Sequence, residues 1–391
     1  SIDKTGVIVG DGQVNYTSYP GLIPNNLTWE KVTTYDVGVD VDMFKNRLTI
    51  GFDWYRRNTT DMYTVGPTLP EVLGTTQPKG NYANLKTKGW ELILSWRDNF
   101  KLAGSDFHYG VKFMLWDSQS WITKYNNATG KLSDYYEGYR IGDIWGYNIE
   151  GLFTSYDEIA NHADQDYIKI SDSKIWQPGD LKFADLNGDG KIDKGAQTLS
   201  DHGDLVIVGN EEERYHYGFN LNVGWKGIGI SAFFQGVGKR DWYPGQETGF
   251  FWGKYNRPYG YSLKMHENRW TEENPNPNAY WPRLVGYSSE NGGRPMGTPN
   301  NRYMQDASYL RLKALTVDYS LPQAWVSKLG LTGLKIYFTG ENLFTFSNIC
   351  ENFDPEVIKG GDVDLKDRKG EEQGYSYPML KTYTVGLNVS F

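Results

Sequence analysis

The chain has 391 residues, and its 40 basic and 48 acidic side chains give a formal net charge of −8 at pH 7. A nucleic-acid-binding domain usually has a basic surplus, so this charge argues against that class. The single cysteine, Cys350, excludes an internal disulfide framework and a cysteine-based zinc site. Aromatic residues make up 15% of the chain, which is too many for a disordered protein.

Apolar and polar residues alternate along the chain with a period of two, as in β-strands that have one apolar face. The clearest example is 215–225, where the odd positions are all aromatic or aliphatic and the even positions are His, Gly or Asn. Similar runs lie at 35–43, 48–55, 89–98, 107–117, 228–236, 309–321, 333–346 and 382–391. No run reaches the roughly 18 consecutive apolar residues of a membrane-spanning helix. The sequence therefore predicts an all-β protein with about nine strands.

The predicted connections between these strands alternate between short and long. The shorter ones are 45–46, 99–106, 226–227 and 322–332, and the long ones are 61–86, 118–210, 243–305 and 347–378. A transmembrane antiparallel β-barrel has short periplasmic turns, long extracellular loops and aromatic girdles at both interfaces. A soluble β-sandwich also alternates apolar and polar faces, and it is the alternative fold. It gives no reason, however, for aromatic residues at both ends of the apolar faces.

An odd number of strands predicts that this chain is part of a larger barrel. Bacterial barrels use an even number, and open edges in lipid would leave backbone groups without hydrogen bonds. The opening residues Ser1, Ile2, Asp3 and Lys4 have no signal-peptide pattern, so we expect an internal start. If Phe391 ends the last strand at the periplasmic rim, the short turns and the C-terminus are periplasmic and the long loops extracellular.

Short motifs occur in a fixed order along nearly the whole chain. They lie at 27–31, 35–40, 46–48, 53–62, 84–85, 88–91, 178–193, 217–220, 234–236, 306–313, 340–344 and 353–356. In their order and content they resemble the C-terminal part of a SusC/RagA-type TonB-dependent outer-membrane transporter of Bacteroidetes. Each motif is weak alone, but their joint order is specific.

The resemblance implies a 22-stranded barrel with an internal plug, of which residues 1–391 are the C-terminal half. It implies energy supplied through TonB and a SusD-like surface lipoprotein that caps the extracellular loops. The implied cargo is a large nutrient, either an oligosaccharide or other glycan, or an oligopeptide. The plug and the TonB box would belong to an N-terminal portion that this chain lacks. We expect the outer membrane of a Gram-negative bacterium as the location.

Residues 185–193 have the spacing of an EF-hand calcium loop, with Gly190 at the position of the sharp turn. The predicted oxygen donors are the side chains of Asp185, Asn187, Asp189 and Asp193 and the backbone carbonyl of Lys191. Ca²⁺ favours several oxygen ligands, and this loop offers them within few residues. The alternative is a rigid turn without an ion, since Asp, Asn and Gly also favour turns.

The twelfth position of this loop is Ala196 instead of the usual glutamate. A later acid, or water, must therefore complete the site. Asp204 is the predicted ligand, and Asp201 and His202 are weaker options. Because the loop lies within the long connection 118–210, a bound Ca²⁺ would be extracellular, and its role would be to hold that connection in place.

Enzyme motifs do not occur in the sequence, since HExxH, GxSxG and GxxxxGK patterns are all missing. We therefore expect no enzymatic activity.

Aromatic residues in or beside the long connections are candidates for contact with cargo or with the lipoprotein, namely Trp145, Trp176, Trp242, Tyr243 and Trp252. The alternative is that they pack within the loops. The competing function is a soluble, secreted, Ca²⁺-stabilised glycan-binding β-sandwich.

Overall fold

The computed structural model describes residues 2–9, 12–17, 24, 27–66, 77–168, 175–245, 248–256, 260–285, 295–358 and 377–391. Its strands, in chain order, are β1 (Ile2–Val9), β2 (Gly12–Thr17), β3 (Lys31–Met43), β4 (Leu48–Val65), β5 (Lys79–Leu102), β6 (Ser105–Lys124), β7 (Asp143–Gly146), β8 (Ile149–Leu152), β9 (Leu181–Phe183), β10 (Val206–Asn210), β11 (Arg214–Trp225), β12 (Ile228–Lys239), β13 (Asp241–Trp242), β14 (Gln305–Asp306), β15 (Tyr309–Ser320), β16 (Gly333–Ser347) and β17 (Thr382–Ser390). The α-helices are α1 (Tyr156–Ala160), α2 (Gly249–Trp252) and α3 (Gln323–Val326). None of the helices in these ranges has the length and apolarity needed to cross a membrane.

Nine strands form one antiparallel sheet in the order β17-β16-β15-β12-β11-β6-β5-β4-β3. Each strand pairs with its neighbours in chain order once the short strands of the long connections are set aside, so the sheet is an up-and-down meander. The predicted all-β barrel fold with nine strands is confirmed. The sandwich alternative is wrong, because the nine strands form one continuous sheet instead of two stacked ones. The sheet does not close on itself within the described residues.

Tight turns join the strands at one rim of this sheet. Ala103 and Gly104 connect β5 to β6, and Lys226 and Gly227 connect β11 to β12; all four residues have positive φ angles. Two successive left-handed residues match the type I′ hairpin turn, whose twist fits that of the flanking strands. The predicted turn at 226–227 is confirmed, whereas the connection predicted at 99–106 is shorter because both strands continue into it.

The strand register joins apolar side chains into rows that cross the sheet. One row follows eight neighbouring strands through Val41, Ile50, Leu94, Phe113, Phe219, Phe234, Leu312 and Phe344. A row nearer the tight turns follows Phe107, Trp225, Ile228, Tyr319, Ile336 and Leu387. Soluble proteins rarely expose so large a continuous apolar surface. We call this side of the sheet the apolar face.

The opposite side of the sheet carries polar side chains in the same register. One row there follows Asp42, Thr49, Ser95, Lys112 and Asn220. Because successive side chains of a strand point to opposite sides, the period of two in the sequence produces both faces at once. The sheet therefore separates an apolar surface from a polar one.

Several strands extend further towards the long connections than the alternation predicts. β4 reaches Val65 and β6 reaches Lys124, so residues 61–65 and 118–124 are paired strand and not loop. The hairpin of β1 and β2 was not predicted. Parts of all four long predicted connections lie outside the described residues, namely 67–76, 169–174, 246–247, 257–259, 286–294 and 359–376.

Candidate functional site

The three long connections that follow β6, β12 and β16 share one hydrophobic core, which we call the loop core. Its large buried members include Tyr147, Phe183, Trp252, Trp281, Tyr303 and Phe353. The ring of Trp242 lies 5.0 Å from that of Phe353, which belongs to the last connection. Residues from all three connections therefore pack as one body beyond the sheet.

Trp281 occupies the centre of the loop core and is completely buried. The rings of Tyr255 and Tyr303 stack on it at 5.2 Å, and that of His266 lies 4.8 Å away. Aromatic pairs at such distances contribute beyond the area they bury. Burial raises the pKa of Tyr303 well above its usual value, so its hydroxyl stays protonated. The loop core is thus an aromatic cluster with neutral polar groups.

His266 is buried and uses both ring nitrogens. Nδ1 accepts a hydrogen bond from the backbone N–H of Leu263 at 2.9 Å, and Nε2 lies 2.8 Å from the carbonyl oxygen of Phe251. This arrangement requires a neutral ring with its proton on Nε2, because a carbonyl can only accept. Burial lowers the pKa of His266 below its ordinary value.

Two of the predicted contact residues lie inside the loop core. Trp242 is 5% exposed and Trp252 is 0% exposed. The indole N–H of Trp252 donates to the carbonyl of Gly245 at 2.9 Å. Neighbouring Tyr243 is partly buried and donates its hydroxyl hydrogen to the carbonyl of Met296 at 2.7 Å. Packing is the role that these contacts support, and any cargo contact by Trp242 or Trp252 requires the loop core to open.

The other two predicted aromatic residues lie at the edge of the loop core. Trp145 donates its indole N–H to the hydroxyl of Tyr136 at 3.1 Å. Trp176 donates to Oδ1 of Asp166 at 3.0 Å. Both rings are partly buried against the loop core. Each keeps some surface free, so their contact with cargo or a partner stays a prediction.

The predicted calcium loop is held by its own carboxylates. Asp185 accepts hydrogen bonds from the backbone N–H groups of Gly188 at 2.7 Å and Gly190 at 3.0 Å. Asp189 accepts from the N–H of Lys191 at 2.8 Å, and Asn187 from that of Asp189 at 2.9 Å. Gly188 and Gly190 both have positive φ angles, as glycine permits at sharp turns.

The structure brings the predicted closing acid to this loop. Asp204 is 1% exposed and accepts from the N–H of Leu186 at 2.8 Å and of Asp193 at 2.9 Å, so it bridges both ends of the loop. The weaker options lie nearby: Asp201 accepts from the N–H of Ala196 at 3.0 Å. The ring of His202 packs 5.4 Å from that of Trp145.

The donor set of this loop suits a hard cation, because it consists of carboxylate and amide oxygens. In the described residues, however, no three His, Cys, Asp or Glu side chains converge as they would around a metal ion. The carboxylates serve the backbone amides of the loop, although each oxygen retains a second lone pair. Calcium binding therefore stays a prediction that requires the side chains to turn inwards.

Buried ion pairs fix the long connections in place. Arg311 of β15 lies 2.5 Å from Asp354 and 2.7 Å from Glu356, both in the connection after β16. Arg283 lies 2.6 Å from Asp180 and joins the connections after β12 and β6. The sequence motif at 306–313 contains Arg311, and the motif at 353–356 contains Asp354 and Glu356. Because the two motifs are far apart along the chain, their ion pairs could not be predicted from the sequence.

Comparisons with known proteins agree with this architecture. The model of a family described as TonB dependent receptor-like, beta-barrel, matches residues 6–225. TonB-dependent receptor P3 of Formosa agariphila is 28% identical over 98% of this chain and 36% of its own length. TonB-dependent receptor SusC of Bacteroides thetaiotaomicron is 24% identical over 96% of this chain and 33% of its own length. The chain therefore spans about a third of the length of these relatives.

Solved structures show the same fold. The RagAB peptide transporter superposes with a TM-score of 0.68 at 22% identity, over 100% of this chain and 38% of that chain. The RagAB peptide importer in its open-open state gives a TM-score of 0.67. At this identity the likeness concerns the fold of the barrel and its connections.

Proposed function

This chain belongs to the TonB-dependent receptor-like β-barrel family, and from that premise we propose that it forms the C-terminal part of an outer-membrane importer. The remaining barrel strands and the plug come from an N-terminal portion of the same transporter, which also contacts TonB. The tight turns and the C-terminus face the periplasm, and the loop core lies outside the cell. Transport is the function; no enzymatic step is involved.

The observation that carries this proposal is the pair of faces of the nine-stranded sheet. One apolar row continues across eight strands and a second across six, and the opposite face is polar. A membrane barrel with a hydrated lumen needs that arrangement. Trp54 and Trp90 pair at one end of the apolar face, and Trp225 lies at the other. Aromatic residues at both ends match the two interfacial girdles of such barrels.

The proposed cargo is a large nutrient, either an oligosaccharide or other glycan, or an oligopeptide. Support comes from similarity to SusC and from the fold shared with RagAB, which is itself a peptide transporter. A SusD-like surface lipoprotein is the proposed partner at the loop core. Trp145 and Trp176 are the contact candidates, because their rings are only partly buried.

Fractionation of cells that express the full-length transporter tests the proposal. The protein should sediment with outer membranes, need detergent for release, and bring a surface lipoprotein with it during purification. A deletion strain should lose uptake of one class of oligomer, and a panel of glycans and peptides identifies which. Recovery in the soluble fraction without a partner would contradict membrane insertion.

Ca²⁺ at residues 185–204 is a separate part of the proposal. The ligands would be Asp185, Asn187, Asp189 and Asp193, the carbonyl of Lys191, and Asp204. Calorimetric titration of the calcium-stripped protein should show one site that Asp185→Asn removes. Asp157→Asn, which changes an exposed acid of α1 in the same connection, is the matched control. Equal calcium binding by wild type and Asp185→Asn would rule out the site.

A further inference from the structure

A cavity of about 330 Å³ lies where β5 and β6 extend beyond the body of the sheet. Its walls include Lys86 and Lys88 of β5, Trp121 of β6 and Glu137 of the following connection. The ammonium group of Lys86 lies 5.6 Å from the centre of the Trp121 ring. The cavity thus combines two cations with an aromatic wall.

The register places this cavity on the apolar face of the sheet. Trp90, Leu92 and Leu94 of β5 belong to that face, and side chains alternate along a strand. Lys88 and Lys86 precede Trp90 by two and four residues, with no irregularity in the pairing between them. Both lysines therefore point to the same side as Trp90, towards the surroundings of the barrel and away from its lumen.

The height of the cavity along the barrel follows from the same register. Trp54 and Trp90 form a directly opposite pair, and the next pair towards the long connections on that face is Arg56 with Lys88. Since tryptophan marks the membrane interface, Arg56 and Lys88 lie just beyond the hydrocarbon. This is the level of the lipid headgroups in the outer leaflet.

Three positive side chains lie at this level, namely Arg56, Lys86 and Lys88. Arg56 and Lys88 are directly opposite, and like charges in that position repel each other. The side chain of Arg56 donates its Nε hydrogen to Asn58 at 3.2 Å, which is neutral. Within the described part of the chain, no carboxylate forms an ion pair with Arg56, Lys86 or Lys88.

Two acidic side chains near this level, Asp117 and Asp61, already have cationic partners. Asp117 shares the row of Trp54 and Trp90, but its carboxylate accepts two hydrogen bonds from Arg214. Asp61 pairs with Lys31 at 3.7 Å. Glu137 lines the cavity itself, where its exposed carboxylate offsets one of the three positive charges. The cluster of Arg56, Lys86 and Lys88 therefore keeps a net positive charge that an anion would offset.

We propose that this cavity binds a phosphate group of a phosphorylated glycolipid in the outer leaflet of the membrane. Lys86 and Lys88 contact the phosphate, Arg56 adds charge from the neighbouring strand, and Trp121 packs against the sugar that carries it. Lysines near a membrane surface attract anionic headgroups in this way. The inference rests on the proposed insertion of the barrel in the outer membrane.

Binding of bisphosphorylated lipid A to the full-length transporter in mild detergent tests this inference. The double variant Lys86→Gln/Lys88→Gln should bind lipid A at least about tenfold more weakly than wild type. Lys86→Arg/Lys88→Arg keeps the charge and should stay within about threefold of wild type. This conservative variant separates loss of charge from a defect in folding.

Lys101→Gln/Lys226→Gln is the matched control. It also removes two cations, but at the opposite rim of the sheet. Lys101 pairs with Asp106 at 2.7 Å, and the ammonium group of Lys226 lies 4.6 Å from the centre of the Trp225 ring. It should leave lipid A binding unchanged.

Equal binding by wild type and Lys86→Gln/Lys88→Gln would overturn the inference, as would complete displacement of lipid A by inorganic phosphate. Outer-membrane fractionation of the same proteins tests insertion separately, since a soluble protein would overturn the proposed function instead.

Discussion

Arg311 and Asp354 form an ion pair of 2.5 Å in which the two side chains are 3% and 9% exposed. The other two nitrogens of Arg311 donate as well, Nε to Thr345 at 2.8 Å and Nη1 to Glu356 at 2.7 Å. A guanidinium on the wall of the barrel thus holds the start of the last long connection. Residues 43 positions apart along the chain are fixed to each other by this contact.

Arg311→Gln should release the last connection from the barrel wall. Removing one partner of a buried ion pair leaves the other charge uncompensated and costs about 3–5 kcal/mol. Hydrogen exchange of the segment 348–358 in detergent should become faster, while strand β15 stays protected. Lys335→Gln is the control, since Lys335 is 47% exposed in its pair with Asp318, and a pair so accessible to water contributes less. Unchanged exchange at 348–358 would show that the pair is not an anchor.

Gly146→Ala should weaken the contact between the first two long connections. A methyl group at Gly146 would collide with the carbonyl oxygen of Pro299, which accepts a hydrogen bond from Tyr147 at 2.9 Å. We expect a loss of about 1–3 kcal/mol, as for other overpacked sites. Gly151→Ala, in the next strand, is the control because no atom lies within 4 Å of the added carbon. Thermal unfolding of both variants would show the difference.

Acidification should loosen the loop core through His266. Its pKa is lowered in the folded state by burial, so the unfolded chain binds the proton more readily. The stability that the neutral ring contributes is present above the unfolded pKa of about 6.5 and is lost as the pH falls through the folded pKa. Proteolysis of the segment 248–256 between pH 7.5 and pH 5 should accelerate. His266→Gln cannot titrate, so an equal acceleration in that variant would assign the effect elsewhere.

Asp204→Asn should destabilise the loop 185–204 even without calcium. The aspartate accepts hydrogen bonds from Leu186 and Asp193, whereas the amide has only one accepting oxygen. One buried N–H group loses its partner, which costs about 1–3 kcal/mol. Hydrogen exchange at Leu186 and Asp193 in the presence of a chelator measures the effect. If exchange at both positions matches wild type, these hydrogen bonds do not stabilise the loop.

The sheet could be predicted from the sequence because its signal is local. Alternation within 215–225 or 382–391 reveals a strand without reference to its neighbours. The same rule underestimated β6, whose residues beyond Asp117 pair although their polarity no longer alternates as before. Those residues lie nearer the long connections, where Ser118, Gln119 and Ser120 follow one another, so the alternation that identifies the strand disappears.

The connections were harder to predict because their contacts join distant residues. The sequence predicts Asp204 as the later acid that completes the calcium loop, and the structure does bring it there. The burial of Trp252 could not be inferred, since it depends on Trp281 and Tyr303, which lie 29 and 51 residues further along. A tryptophan in a polar segment has the same sequence signature whether it packs inwards or faces a ligand.

The loop core has a consequence for how members of this receptor-like barrel family diversify. Because Tyr147, Trp252 and Phe353 come from three different connections and share one interior, we expect a change in the length or aromatic content of one connection to disturb the other two. New selectivity would then arise by replacing the three segments together, as one exchangeable unit on an unaltered barrel. Chimaeras between related proteins should fold when all three segments come from the same parent, and lose their surface structure when the parents are mixed.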